Sequence, residues 1–157
     1  MRKRMISQSP KTDPAADKHW LDLEDLALTE VSSEDAAHPI ESALTLDNGP
    51  GWRASEPGKQ TVRLVFDKPQ KVHNIHLLFR EDERERTHEF VLRWSPDSGH
   101  TYREIVRQQF NFSPHGSTQE VEDYDVELNG MTALELIIVP DVSGGTARAS
   151  VAELRLA

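Results

Sequence analysis

The chain contains no cysteine. Disulfide bridges and thiolate metal sites are therefore excluded, and nothing in the sequence asks for an oxidising compartment. Long apolar runs are also missing. None approaches the ~18 residues that mark a membrane-crossing helix, so no membrane partner is expected. The basic start, Arg2, Lys3 and Arg4, is not followed by the apolar stretch of a secretory signal, and a cytoplasmic location is the expectation. Positive charge is scarce: 18 Lys and Arg face 27 Asp and Glu, for a net charge of −9. Non-specific nucleic-acid binding rests on neutralising phosphates, so no nucleic-acid partner is expected.

Catalytic patterns are absent too. There is no His-x-x-x-His pair, no Ser/His/Asp elbow and no phosphate-cradling glycine loop. His73 and His76 are three apart on a strand and so face opposite ways. Glu120, Glu122 and Asp123 sit on an exposed strand with no apolar pocket to shift their pKa values. An enzyme is therefore not expected.

What is present is β-pattern. The 157 residues suffice for one domain with its own core. Nine Pro and eight Gly lie scattered between short β-rich runs, which favours a sandwich or barrel over a helical bundle. Residues 1–18 are polar and aperiodic, and read as a disordered tail ahead of a single domain at 19–157. Residues 86–106 organise the rest. Phe90, Leu92 and Trp94 alternate with Glu89, Val91 and Arg93, so one face of a strand is continuously apolar. Ser95, Pro96, Asp97, Ser98 and Gly99 supply turn chemistry, and a second strand resumes at Thr101.

Around that hairpin, residues 28–32, 59–67, 72–80, 117–128, 132–139 and 148–156 read as further strands. Pro69 is read as ending one strand, and Asn129-Gly130 as a hairpin turn between two others. Residues 39–46 suit one or two helical turns. Residues 81–86 and 108–116 are read as loops. About eight strands with short connections fit an antiparallel jelly-roll β-sandwich, with the immunoglobulin-type sandwich as the competing architecture.

The motifs in order then resemble the galactose-binding-like superfamily, which includes discoidin domains, coagulation-factor type C domains and related carbohydrate-binding modules. The resemblance covers residues 28–156. It rests on SSEDAAHPIESAL, on DNGPGWRA, on FVLRWSPDSGHTYREI with its Ser-x-Asp-Ser-Gly turn, and on VAELRL. Residues 32–79 are also similar to the N-terminal domain of the X-ray repair cross-complementing scaffold protein, a sandwich that serves as a protein-interaction module. The resemblance implies a non-catalytic binding module, with ligands at loops on one end. Its partner is expected to be a carbohydrate, or alternatively a protein. It requires no cofactor, but implies a possible structural calcium beside the Asp-Gly turn. Asp47 and Glu153 occupy the family's acidic positions. The sequence Asp47-Asn48-Gly49-Pro50-Gly51 departs from the commoner pattern. There, Pro50 removes a donor and stiffens the loop.

A sugar site needs an apolar face for the ring and fixed polar groups for the hydroxyls. Arg80, Arg84, Arg86 and His88 flank one loop, while Phe110, Asn111, Phe112 and His115 lie in another. If the two loops share an end, Phe110 or Phe112 stacks while Arg80, Arg86, His88, Asn111 and His115 bond the hydroxyls. The competing reading makes residues 81–86 a solvated charge run and the two Phe simple anchors. Trp52 is either a stacking platform or a core plug, and the plug is favoured because aromatic side chains bury so much area. Trp94 is read as core.

Overall fold

The computed structural model describes residues 19–46 and 49–157. The chain begins with a single helical turn, α1 (Leu23–Leu26), capped by the Asp22 carboxylate, and runs straight into β1 (Ala27–Val31). A second short helix, α2 (Glu41–Leu44), follows. Six strands then come in succession: β2 (Trp52–Pro57), β3 (Gln60–Arg80), β4 (Arg86–Ser95), β5 (Arg103–Phe112), β6 (Gln119–Val139) and β7 (Arg148–Val151). β8 (Glu153–Leu156) closes the chain. The jelly-roll reading holds: the body is an antiparallel β-sandwich of eight strands.

β3 and β6 build both layers. The first half of β3 pairs with β1 on one side and with the second half of β6 on the other. β4 and then β5 extend that layer. The second half of β3 pairs with the first half of β6 and with β8. Between the halves the register slips, at Gln70 opposite Met131 and Val72 opposite Leu128. Two sequence expectations are corrected here. Pro69 does not end a strand: positions 66–69 have no partner on β6, so a residue without an N–H costs the ladder nothing. Asn129-Gly130 is not a hairpin. It is the matching bend inside β6, where Gly130 takes φ 73° at no steric cost.

The alternation seen in sequence sets the core. Val62, Leu64 and Phe66 from one half of β3 and Ile75, Leu77 and Phe79 from the other are all buried. Phe79 stacks on Phe90 across the sandwich at 5.0 Å. Trp94 is half-buried against this core, and the Arg103 guanidinium covers its ring at 5.3 Å. The β4–β5 turn forms as the sequence implies. The Ser95 hydroxyl donates to Asp97 and accepts from the Asp97 and Gly99 amides, while Asp97 accepts from the Thr101 amide and hydroxyl. These donors, Ser95 first, hold the Asp97 carboxyl well below the usual range.

The outer face of the larger layer carries a charge ladder across four strands. Glu30, Arg63, Glu135 and Arg93 are direct cross-strand neighbours with alternating sign. Arg63 bonds Glu135 at 2.9 Å and Glu30 at 3.3 Å, Arg93 bonds the other Glu135 oxygen, and the Arg93 guanidinium sits 4.5 Å over the Tyr102 ring. Glu135, 3% exposed, is thereby compensated on both oxygens.

Residues 148–156, read as one closing strand, are two. β7 pairs with β2 in a separate two-stranded sheet, with Trp52 opposite Val151 and Arg53 opposite Ser150. Ala152 marks the switch, donating its N–H to the Leu78 carbonyl, and β8 continues in the main sheet. The expected tail at 1–18 lies outside the described residues.

Candidate functional site

At the end of the sandwich away from the 95–102 turn, the β2–β7 pair meets the loop joining β3 to β4. This loop and the 113–118 turn share that end, because the Glu81 N–H donates to the Thr118 carbonyl at 2.8 Å. Two depressions of about 200 and 230 Å³ open there. They share Arg53, Arg80, Glu81 and Ser150 and so form one groove.

The groove is held open by Arg86. Its side chain is 5% exposed and lies under the surface. Nη1 donates to the Pro140 carbonyl at 2.9 Å and to the Arg148 carbonyl at 3.3 Å, and Nε pairs with Glu81 at 2.8 Å. One guanidinium thus ties the β3–β4 loop, the segment after β6 and the start of β7 together. Burial lowers its pKa, with Glu81 opposing. Arg86 is therefore a scaffold for the groove, not a side chain presented to a ligand.

The other expected ligand residues divide sharply. Arg80 is exposed and lines the groove. His88 is interior, 1% exposed, bonded through Nε2 to Glu120 at 2.6 Å and packed edge-on against Phe79 and Phe112. Phe110 and Asn111 lie on β5, not in a loop. Phe110 packs on the buried Phe112, and Asn111 accepts a hydrogen bond from Thr87 across the strand pair. His115 is exposed in the 113–118 turn but does not line the groove. Trp52 is a plug: 1% exposed, with Nε1 donating to the Ser33 carbonyl at 3.1 Å.

Arg53, Arg84 and Arg148 complete the groove, and sequence reading passed over Arg53 and Arg148. A signal existed. Arg53 alternates with buried Trp52 and Ala54, and Arg148 with buried Ala147 and Ala149, so both point outward. What brings them together is the β2–β7 pairing, a contact between residues nearly a hundred positions apart.

Of the two residues expected to hold calcium, Asp47 and Glu153, the structure describes Glu153. Asp47 lies outside the described residues. Glu153 has both oxygens engaged, one by His76 Nε2 at 3.0 Å and the other by Arg155 at 3.3 Å, while His76 Nδ1 bonds Asp123 at 2.9 Å. Calcium wants ~6–8 oxygens turned toward one point, and a carboxylate already bonded to two cationic groups does not fit that role. Among the described residues no group of three or more His, Asp or Glu side chains is placed to hold a metal.

Comparison with known proteins places the chain. The F5/8 type C domain profile matches residues 27–154. No curated protein matches the sequence. Among solved structures, the chain is similar to a family 32 carbohydrate-binding module from a family 31 glycoside hydrolase of Clostridium perfringens. The identity is 17%, the coverage 92% of this chain and 97% of that one, and the TM-score 0.66. It is also similar to the family 32 module of the same organism's NanJ in complex with galactose, at 14% identity, 87% and 96% coverage and TM-score 0.62. The family 32 module of AlyQ in complex with 4,5-unsaturated mannuronic acid aligns at 15% identity, 89% and 98% coverage and TM-score 0.63. None of these is a DNA-repair scaffold, so that part of the resemblance stays with residues 32–79 of the sequence.

Proposed function

The chain belongs to the F5/8 type C domain family, and on that premise we propose that it is a non-catalytic module that binds carbohydrate in the groove at the Arg80 end. The observation that carries this reading is the groove itself: an open depression on a rigid β framework, lined by side chains that stand ready to donate. The Arg53 and Arg80 guanidiniums and the Ser150 hydroxyl offer donors from backbone positions that the strands fix, and Pro50 adds an apolar edge. Solved structures of the same fold include modules in complex with galactose and with an unsaturated mannuronic acid, which supports the choice of ligand class.

Titration calorimetry against a panel of mono- and oligosaccharides tests the proposal. Saturable binding is expected, weakened about tenfold or more by Arg80→Ala, since a charge-assisted hydrogen bond contributes roughly 1.5–3 kcal/mol. The melting midpoint is expected to stay put. Silence across a broad glycan array, or an Arg80→Ala variant that binds as the parent does, overturns it.

A further inference from the structure

The groove's charge is opposite to that of the chain. The sequence carries a net −9, yet the first depression is lined by five guanidiniums, Arg53, Arg80, Arg84, Arg86 and Arg148, against two carboxylates, Glu81 and Glu83. The second depression adds Asp82 and His38. Glu81 is consumed by Arg86, and His38 is paired with Asp35 at 3.5 Å. Arg53, Arg80, Arg84 and Arg148 are all exposed, and none has a hydrogen-bonded or ion-paired side chain among the described residues. Elsewhere Arg63, Arg93, Arg107 and Arg155 each have a carboxylate within 3.3 Å.

Four like charges gathered at one end repel each other and cost stability, so an anion that neutralises them is bound with that repulsion relieved. A guanidinium is a planar fork whose donors match the two oxygens of a carboxylate or sulfate. Among the described residues the groove exposes no Phe, Tyr or Trp ring as a platform for a neutral sugar face, since Trp52 is buried beneath it. The negative remainder of the surface repels a polyanion everywhere except here, which focuses it onto this end. We infer that the groove selects anionic glycans, with Arg53, Arg84 and Arg148 reading carboxylate or sulfate groups on sugar residues beside the one held at Arg80. This rests on the carbohydrate-binding reading above and narrows it.

Calorimetry with four probes separates the outcomes: an oligogalacturonate, its full methyl ester, a sulfated galactan oligosaccharide, and a single-stranded DNA oligonucleotide of matched charge. The oligogalacturonate or the sulfated galactan is expected to bind at least about tenfold more tightly than the methyl ester. Which of the two binds better tells carboxylate from sulfate. Arg53→Gln combined with Arg148→Gln is expected to erase that preference while leaving the melting midpoint in place. Independently of any variant, affinity for the charged glycan is expected to fall steeply between about 50 and about 300 mM NaCl. Equal affinity for the ester and the charged oligomer overturns the inference and leaves carbohydrate binding intact. Equal affinity for the DNA also overturns it, because the groove is then a general polyanion site. Failure of every glycan, charged or neutral, removes the carbohydrate reading as well.

Discussion

Two groups of arginines divide this molecule. On the outer face of the larger layer, Arg63 and Arg93 grip the two oxygens of Glu135, with Glu30 and the Tyr102 ring completing the row. At the Arg80 end, Arg53, Arg80, Arg84 and Arg148 stand together with no close ion pair to a carboxylate among the described residues. The side chains are chemically identical, and all but Arg84, which lies in the β3–β4 loop, sit at exposed strand positions or half-exposed ones facing away from the core. What differs is the cross-strand neighbour. In the ladder, β-pairing sets a Glu opposite each Arg. At the groove, pairing sets Ser150 opposite Arg53 and Arg148 opposite Pro57. Charge that the chain itself neutralises holds strands in register; charge that it leaves open is available to something else.

The contrast is easiest to break at Glu135. Glu135→Ala leaves Arg93 without a carboxylate and Arg63 with Glu30 alone, and is expected to cost about 2–3 kcal/mol in a denaturant titration. A cost near zero would mean that the ladder is decoration. Arg86 is the one groove arginine that behaves like the ladder. Arg86→Ala loses two carbonyl contacts and the Glu81 pair, and about 2 kcal/mol of stability is expected to go with them, together with groove affinity. Loss of affinity with no change in stability would instead make Arg86 a direct ligand contact.

His76 sharpens the comparison from a third position, between Asp123 and Glu153. The Glu153 bond, then Asp123, raises its pKa above 6.5 against an opposing desolvation. A raised histidine contributes fully below its unfolded value of about 6.5, and that contribution is lost as pH climbs through the higher folded value. The same His76 bond draws Glu153 below 4.5, and that contribution is lost as pH falls through the lowered folded value. The melting midpoint is therefore expected to decline on both sides of a mildly acidic optimum. His76→Gln is expected to flatten the alkaline limb, and an unchanged limb would remove the cluster from the stability account. The smallest effect belongs to the groove: neutralising Arg53 and Arg148 together is expected to move stability by no more than about 0.5 kcal/mol. A loss as large as that of Glu135→Ala would erase the distinction between the two sets.

Much of the sandwich was readable in sequence because its signals are local. The 95–99 turn is specified by Ser95, Asp97 and Gly99 acting within five residues, and strict alternation places Val62, Leu64 and Phe66 inside. The alternation also held an unused warning. Arg86 and His88 share a face with Phe90 and Leu92, so the pattern that buried the two hydrophobics buries the Arg and the His as well. Treating them as loop ligands followed their polarity and ignored their register. Pro69 and Asn129-Gly130 misled for a different reason. Turn residues announce a change of direction, but not whether the strand survives it, and here β3 and β6 both continue past the slip, pairing again at Gln70 with Met131 and at Val72 with Leu128. The groove was least readable, since Arg53 and Arg148 become neighbours only when β2 finds β7.

The shared bend has a consequence for how the molecule comes apart. β3 and β6 belong to both layers, and their partners lie far along the chain, as with Gln60 and Ile138. Neither layer can melt while the other persists, because the same two ribbons would have to be torn and kept intact at once. Loss of structure is therefore all-or-none, and its formation must wait for distant segments to meet. The groove draws on that rigidity along one side, where Arg80 ends the first ribbon and Gln119 begins the second, while β2 and β7 form its other wall.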